Sequence, residues 1–156
     1  MWRRVLFGLR PPSLLAPPPR RRLHAGQRAA LSRTFSPRDL ELFAALTGDA
    51  NPLHLDAAYA ARTAFDSPIV PGVLLTGLMA ALLGTRLPGP GTVLLHQEIR
   101  FPAPLYPGEE VTAEAEVRRV KMAFAFIAVS ASVRDKLVME GEVVVMVPEG
   151  RGVTVN

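Results

Sequence analysis

The sequence predicts an α+β fold in which a curled antiparallel sheet wraps one long apolar helix. Three observations carry this. Ser67 to Thr85 runs for 19 residues without a charge, interrupted by Pro and Gly. After Pro88-Gly89-Pro90-Gly91, the chain turns into long β-rich runs separated by short breaks. Within them, Val111, Ala113, Ala115 and Val117 alternate with Thr112, Glu114, Glu116 and Arg118, as in a strand with one dry and one wet face.

Composition sets the outer limits. The chain has 156 residues, 49% hydrophobic and 21% charged, which fits one domain with a real core and is too apolar for disorder. There is no cysteine, so disulfides, thiolate metal sites and a cysteine nucleophile are all excluded. His24, His54 and His96 lie too far apart to read as a metal-ligand pattern. Neither a metal nor a redox cofactor is expected.

The net charge of +4 looks like a nucleic-acid binder until the charges are located. Residues 1–38 hold nine Arg and no acid. Residues 39–156 hold nine Lys plus Arg against 14 Asp plus Glu, a balance of −5. The basic character belongs to the N-terminus, and no nucleic-acid role is expected. Residues 1–33, rich in Arg, Leu, Ser and Pro, have the composition of a mitochondrial transit peptide. As a helix, Trp2 to Arg10 would be cationic and amphipathic, and no uninterrupted apolar run follows to make a secretory signal. The expected organisation is a leader at 1–33, a domain at 34–150 and a tail at 151–156, with the matrix as the address.

Within the domain, Leu31 to Phe35 reads as a short strand. Ser36-Pro37-Arg38-Asp39 is a strong helix start, with a capping serine, a proline at the first helical position and an acid in the first turn. Leu40, Phe43, Ala44 and Thr47 recur at helical spacing and should face inward, and Gly48 should end the helix. Asp56 should cap a short Ala-rich helix reaching Arg62. Pro68, Pro71, Gly72, Gly77 and Gly84 cut the uncharged run down to a helix of about 12–15 residues, too short to cross a bilayer. Its apolar surroundings on most sides suit a buried central helix. Strands are expected at Thr92 to Phe101, Glu110 to Lys121, Phe124 to Arg134 and Leu137 to Val147. The last of these, apolar throughout Val143 to Val147, reads as buried on both sides.

The chemistry concentrates in Thr47-Gly-Asp-Ala-Asn-Pro-Leu-His54. Pro52 pushes Asn51 out of the helical region, so the chain turns after Asp49 and brings His54 back toward it. An Asp and a His converging beside apolar walls can divide acid and base roles over one water. Asn51 can orient either group or cap the turn. The same residues also make a good surface turn, and spacing alone does not choose between the two. No serine stands in a nucleophile-elbow context, and His96 reads as a packed or edge-facing strand residue.

Phe43 through His54, with Ala60 six positions further on, resembles the signature of the MaoC-like (R)-specific enoyl-thioester hydratases. The likeness continues through FDSPIVPGVLLTGLMAALLGTRLPGPG and RFPAPLYPGEEVTAEAEV, over roughly residues 34–147. The resemblance implies a hot-dog fold whose central helix spans Gly72 to about Arg86, usually paired into a homodimer. It implies Asp49 and His54 as the catalytic pair. It also implies that the Gly72 backbone N–H binds the thioester carbonyl, where a helix N-terminus suits developing negative charge. Many relatives have a His before this glycine, whereas Pro71 stands here and cannot donate a hydrogen bond. With the Arg-rich leader, the implied activity is that of a (3R)-hydroxyacyl-acyl-carrier-protein dehydratase in mitochondrial fatty-acid synthesis. Acyl-carrier protein is acidic, so Arg86, Arg100, Arg118, Arg119 and Lys121 are candidate docking residues, with a CoA thioester as the other possible substrate form. A hot-dog acyl-thioesterase and a non-catalytic acyl-thioester-binding subunit are the competing readings.

Overall fold

A computed structural model describes residues 22–147. Its elements are β1 (Arg28–Thr34), α1 (Pro37–Thr47), α2 (Pro52–Leu55), α3 (Ala57–Ala60), α4 (Gly72–Thr85), β2 (Val93–Arg100), β3 (Glu110–Lys121), β4 (Phe124–Val133) and β5 (Lys136–Met146). The five strands form one antiparallel sheet in the order β1-β3-β4-β5-β2, so the first two strands in sequence become the two edges.

The alternation expected of β3 is realised residue by residue. Val111, Ala113, Ala115 and Val117 are buried, and the residues between them reach solvent. They pack with Ile127 and Val129 of β4, Val143 and Val145 of β5, and Leu75, Leu78, Met79, Leu82 and Leu83 of α4. Full burial of a leucine or methionine stabilises by about 1.5–3 kcal/mol, so these side chains hold the helix against the sheet. Gly141 lets β2 approach β5, because a Cβ there would press into the Glu98 carbonyl oxygen.

Several expectations need correcting. β1 begins at Arg28 and pairs with β3, and Leu23 is buried, so the folded part starts before the boundary drawn at residues 33 and 34. Most of the expected leader, with Trp2 to Arg10, and the tail at 151–156 lie outside the described residues. β5 is not buried on both sides: Val143 and Val145 point into the core, whereas Val144 is half-buried and Met146 is exposed. A sheet face with nothing layered over it cannot dry out its residues, however apolar they are. Helix α4 is likewise covered on one side only. Val73 is 68% exposed, and Gly77, Ala80 and Ala81 are exposed with it. In α1, Leu40 is buried and Phe43 and Ala44 half-buried, but Thr47 is exposed and bonds the Phe43 carbonyl instead. Among the described residues, no helix is long and apolar enough to cross a membrane.

Candidate functional site

Caps fix the segment carrying the Asp and His. At the start of α1, the Ser36 side chain accepts the Asp39 N–H and the Asp39 carboxylate accepts the Ser36 N–H, a reciprocal capping box. Those donors hold the Asp39 carboxyl below its ordinary value, with the Ser36 backbone N–H contributing most. At the other end Gly48 takes a left-handed conformation, φ 80°, and its N–H bonds the Ala44 carbonyl. The helix therefore ends at Thr47, with Gly48 alone between it and Asp49.

A second helix starts at once, which sequence reasoning missed. Pro52 occupies the first position of α2, and the Asn51 side-chain oxygen accepts the Leu53 N–H at 3.1 Å. Gly48 ends the first helix, and Pro52 initiates the next. Asn51 is thus a cap, one of its two expected roles. Asp56 then caps α3 through the Tyr59 N–H.

Asp49 is exposed, and one carboxylate oxygen accepts the Asn51 N–H at 3.2 Å. His54 is half-buried, with Nδ1 2.8 Å from the Ile69 carbonyl oxygen. A carbonyl only accepts, so Nδ1 carries a hydrogen, and in the neutral form of the ring the lone pair is then at Nε2. No ion pair within 4.0 Å joins Asp49 to His54; Asp49 lies in the link between α1 and α2, and His54 lies in α2 itself.

His54 borders a cavity of about 280 Å³ with Leu40, Glu41, Ser67 and Tyr106. Gly72 borders a second, mostly apolar one of about 300 Å³, with Phe65, Ile69, Phe101 and Leu105. The segment from Phe65 to Val70 runs between them: Ile69 lines the Gly72 cavity while its carbonyl holds the His54 ring. Phe101 presses on Gly72 so closely that a Cβ there would come within 2.9 Å of the ring. Gly72 opens α4, where backbone N–H groups lack intrahelical acceptors, and Pro71 before it supplies no side-chain cap.

The widest clefts are elsewhere, one on the polar face of the sheet and one between the start of β3 and the β4–β5 turn. Arg100 and Arg118 line the first, paired with Glu140 at 2.9 Å and Glu116 at 2.7 Å. Arg86 bonds the Ala30 carbonyl, Arg119 lies 4.1 Å over the Phe126 ring, and Lys121 ends β3. None of the five lines the cavities of His54 or Gly72. His96 is exposed on the β2 edge beside a register shift.

A family model described as a MaoC like domain matches residues 21–139. The chain belongs to the MaoC-like dehydratase family. An (R)-specific enoyl-CoA hydratase of Aeromonas caviae is 43% identical over 129 residues, 81% of this chain and 96% of that protein. A solved structure of the (R)-hydratase from A. caviae involved in PHA biosynthesis is 44% identical, with a TM-score of 0.77 over 81% of this chain and 98% of that one. A mitochondrial 3-hydroxyacyl-[acyl-carrier-protein] dehydratase of Solanum lycopersicum is 34% identical over 122 residues, 75% of this chain and 73% of that protein. This MaoC-like chain is an enzyme of the hydro-lyase class with the hot-dog fold.

Proposed function

We propose that this hydro-lyase reversibly removes water from (3R)-hydroxyacyl thioesters, carried on acyl-carrier protein, within mitochondrial fatty-acid synthesis. The observation that carries the reading is His54, whose Nδ1–H is committed to the Ile69 carbonyl while Nε2 stays open beside a cavity. In the dehydration direction, the C2–H bond breaks to one member of the Asp49/His54 pair. The C3 hydroxyl takes a proton from the other and leaves as water, giving the trans-2-enoyl thioester. Charge accumulates meanwhile on the thioester oxygen, where the Gly72 N–H at the start of α4 stabilises it. The pair exchanges protons as one coupled unit.

The carrier and the compartment rest on the S. lycopersicum relative's printed name and on the acid-free, Arg-rich residues 1–33. Homodimer formation would cover the bare face of α4 and the exposed Val93, Leu94 and Leu95 of the β2 edge. Light scattering at micromolar concentration reads it directly.

The test of the reaction is loss of enoyl absorbance on hydration of crotonyl-CoA and crotonyl-acyl-carrier protein by the same preparation. A higher kcat/KM on the carrier-linked substrate supports the carrier assignment, and thioester cleavage without hydration would replace the dehydratase with a thioesterase. Replacing Arg86, Arg100, Arg118, Arg119 or Lys121 should then weaken the carrier-linked reaction alone.

A further inference from the structure

We propose that Lys136, Glu109 and Tyr106 form a brace that positions the His54 ring for catalysis from the far end of β5. The proposal rests on His54 being the proton-transferring group.

The connection can be followed bond by bond. The Lys136 ammonium donates to both Glu109 carboxylate oxygens, at 3.1 and 3.0 Å. Glu109 in turn accepts the Tyr106 backbone N–H at 2.9 Å, and the ammonium lies 5.4 Å from the Tyr106 ring centre. These contacts fix the backbone and ring of Tyr106 together. Its hydroxyl then donates to the Phe65 carbonyl at 3.1 Å, while the neighbouring Leu105 carbonyl accepts the Val70 N–H at 2.8 Å. The segment between Phe65 and Val70 is therefore pinned at both ends by two adjacent residues. Inside it lies the Ile69 carbonyl, which holds His54 Nδ1 at 2.8 Å.

The physical case is one of restraint. Segment 65–70 contains no helix or strand, so its carbonyl has no ladder to fix its direction. A lone carbonyl on an unrestrained loop would let the imidazole rotate or exchange tautomers, and the lone pair would no longer stay at Nε2. Tyr106 also walls the same cavity as His54, so the brace sets the ring's surroundings as well as its anchor. Partial burial pushes the Glu109 carboxyl up, but the Tyr106 N–H, Lys136 and Arg134 overcome this and leave it lowered. Glu109 therefore carries its negative charge at neutral pH.

The test uses the full chain with Lys136→Met, Lys136→Arg, Tyr106→Phe and His54→Gln, assayed with crotonyl-CoA. Nitrogen NMR of the imidazole serves as the readout that a merely structural role would not move. Misplacing a reacting group by a fraction of an ångström lowers turnover, so Lys136→Met should reduce kcat about tenfold with KM within about twofold. Its His54 ring should shift from the Nδ1–H form toward a mixture of tautomers. Lys136→Arg keeps the ion pair and should recover most of the rate and the wild-type spectrum. Tyr106→Phe removes one hydroxyl and keeps the ring, so it gives the answer even if Lys136→Met folds poorly, and it should show the same spectral change. A folded Lys136→Met or Tyr106→Phe with wild-type kcat and an unchanged imidazole spectrum overturns the brace. Loss of activity that Lys136→Arg does not rescue, with the tautomer unchanged, overturns it too. Wild-type turnover in His54→Gln would instead remove the premise, and the two failures are told apart by that variant.

Discussion

Asp49 and Glu109 are both carboxylates in turns just outside regular elements, and they are treated in opposite ways. Glu109 is well supplied: it accepts one backbone N–H and a lysine ammonium on both oxygens, with its side chain 31% exposed. Asp49 receives the Asn51 N–H on one oxygen and stands exposed. A carboxylate held by three donor contacts has little acceptor capacity left to offer a substrate. One left mostly open can take up a proton or a water, and in this chain it is the open one that lies five residues before a histidine.

The largest effects should come from attacking the open side of that contrast. Asp49→Asn and His54→Gln should each lower hydration of crotonyl-CoA by roughly 10²–10⁴-fold, the usual scale for acid–base groups. The double variant should be little worse than the poorer single one, since members of one unit do not add. Their melting temperatures should stay near wild type, because Asp49 is exposed and neither residue fills the core. A near-wild-type rate in either variant would take that residue out of the chemistry.

Glu109→Gln should produce a stability loss that depends on pH. Its ion pair is about a third exposed on both partners, so solvent screening trims the loss to about 1 kcal/mol. Because its folded pKa lies below the ordinary 4.5, the stabilisation is fully present above that value and disappears as pH falls through the lowered one. Urea midpoints of wild type and variant should therefore differ at pH 7 and converge under acid conditions. A gap that persists in strong acid would mean the carboxylate's charge is not what stabilises.

Asn51→Ala should have the smallest effect on turnover. It removes the cap on the Leu53 N–H, worth about 1 kcal/mol locally, and loosens the turn without deleting a proton-transfer group. Turnover should fall far less than in Asp49→Asn, and Asn51→Asp, which can still cap, should recover most of it. Equal losses in Asn51→Ala and Asn51→Asp would show that the amide acts on more than the turn.

Where the sequence was legible, local chemistry decided the structure. Ser36, Pro37 and Asp39 announced α1, and Gly48 its end. The strict alternation from Val111 to Val117 placed β3 at its observed bounds. The start of the central helix at Gly72, which the family resemblance implied, is where the helix begins. What stayed hidden depends on partners remote in sequence. No local signal says that the Ile69 carbonyl meets His54 fifteen residues away, or that the Tyr106 hydroxyl reaches Phe65. Runs of valine in β5 look the same whether one face or two are covered, so the outer face was misread. α2 was missed because four residues are too few for a periodic pattern, though Asn51-Pro52 holds its cap and first position.

The position of β1 in the sheet has a consequence for how the chain reaches this state. The turns at Met122-Ala123 and Arg134-Asp135 close β3, β4 and β5 locally. β1 must instead find β3 across a wide gap in sequence, with Ser32 meeting Thr112 80 residues further along. Closing so long a loop costs entropy that short hairpins avoid, so the meander forms early and the N-terminal edge zips on last. α1 and the Asp49 turn follow directly from that edge. A ribosome delivering this chain N-terminus first would therefore release the segment that carries Asp49 and His54 early and see it organised only after the final strands had emerged.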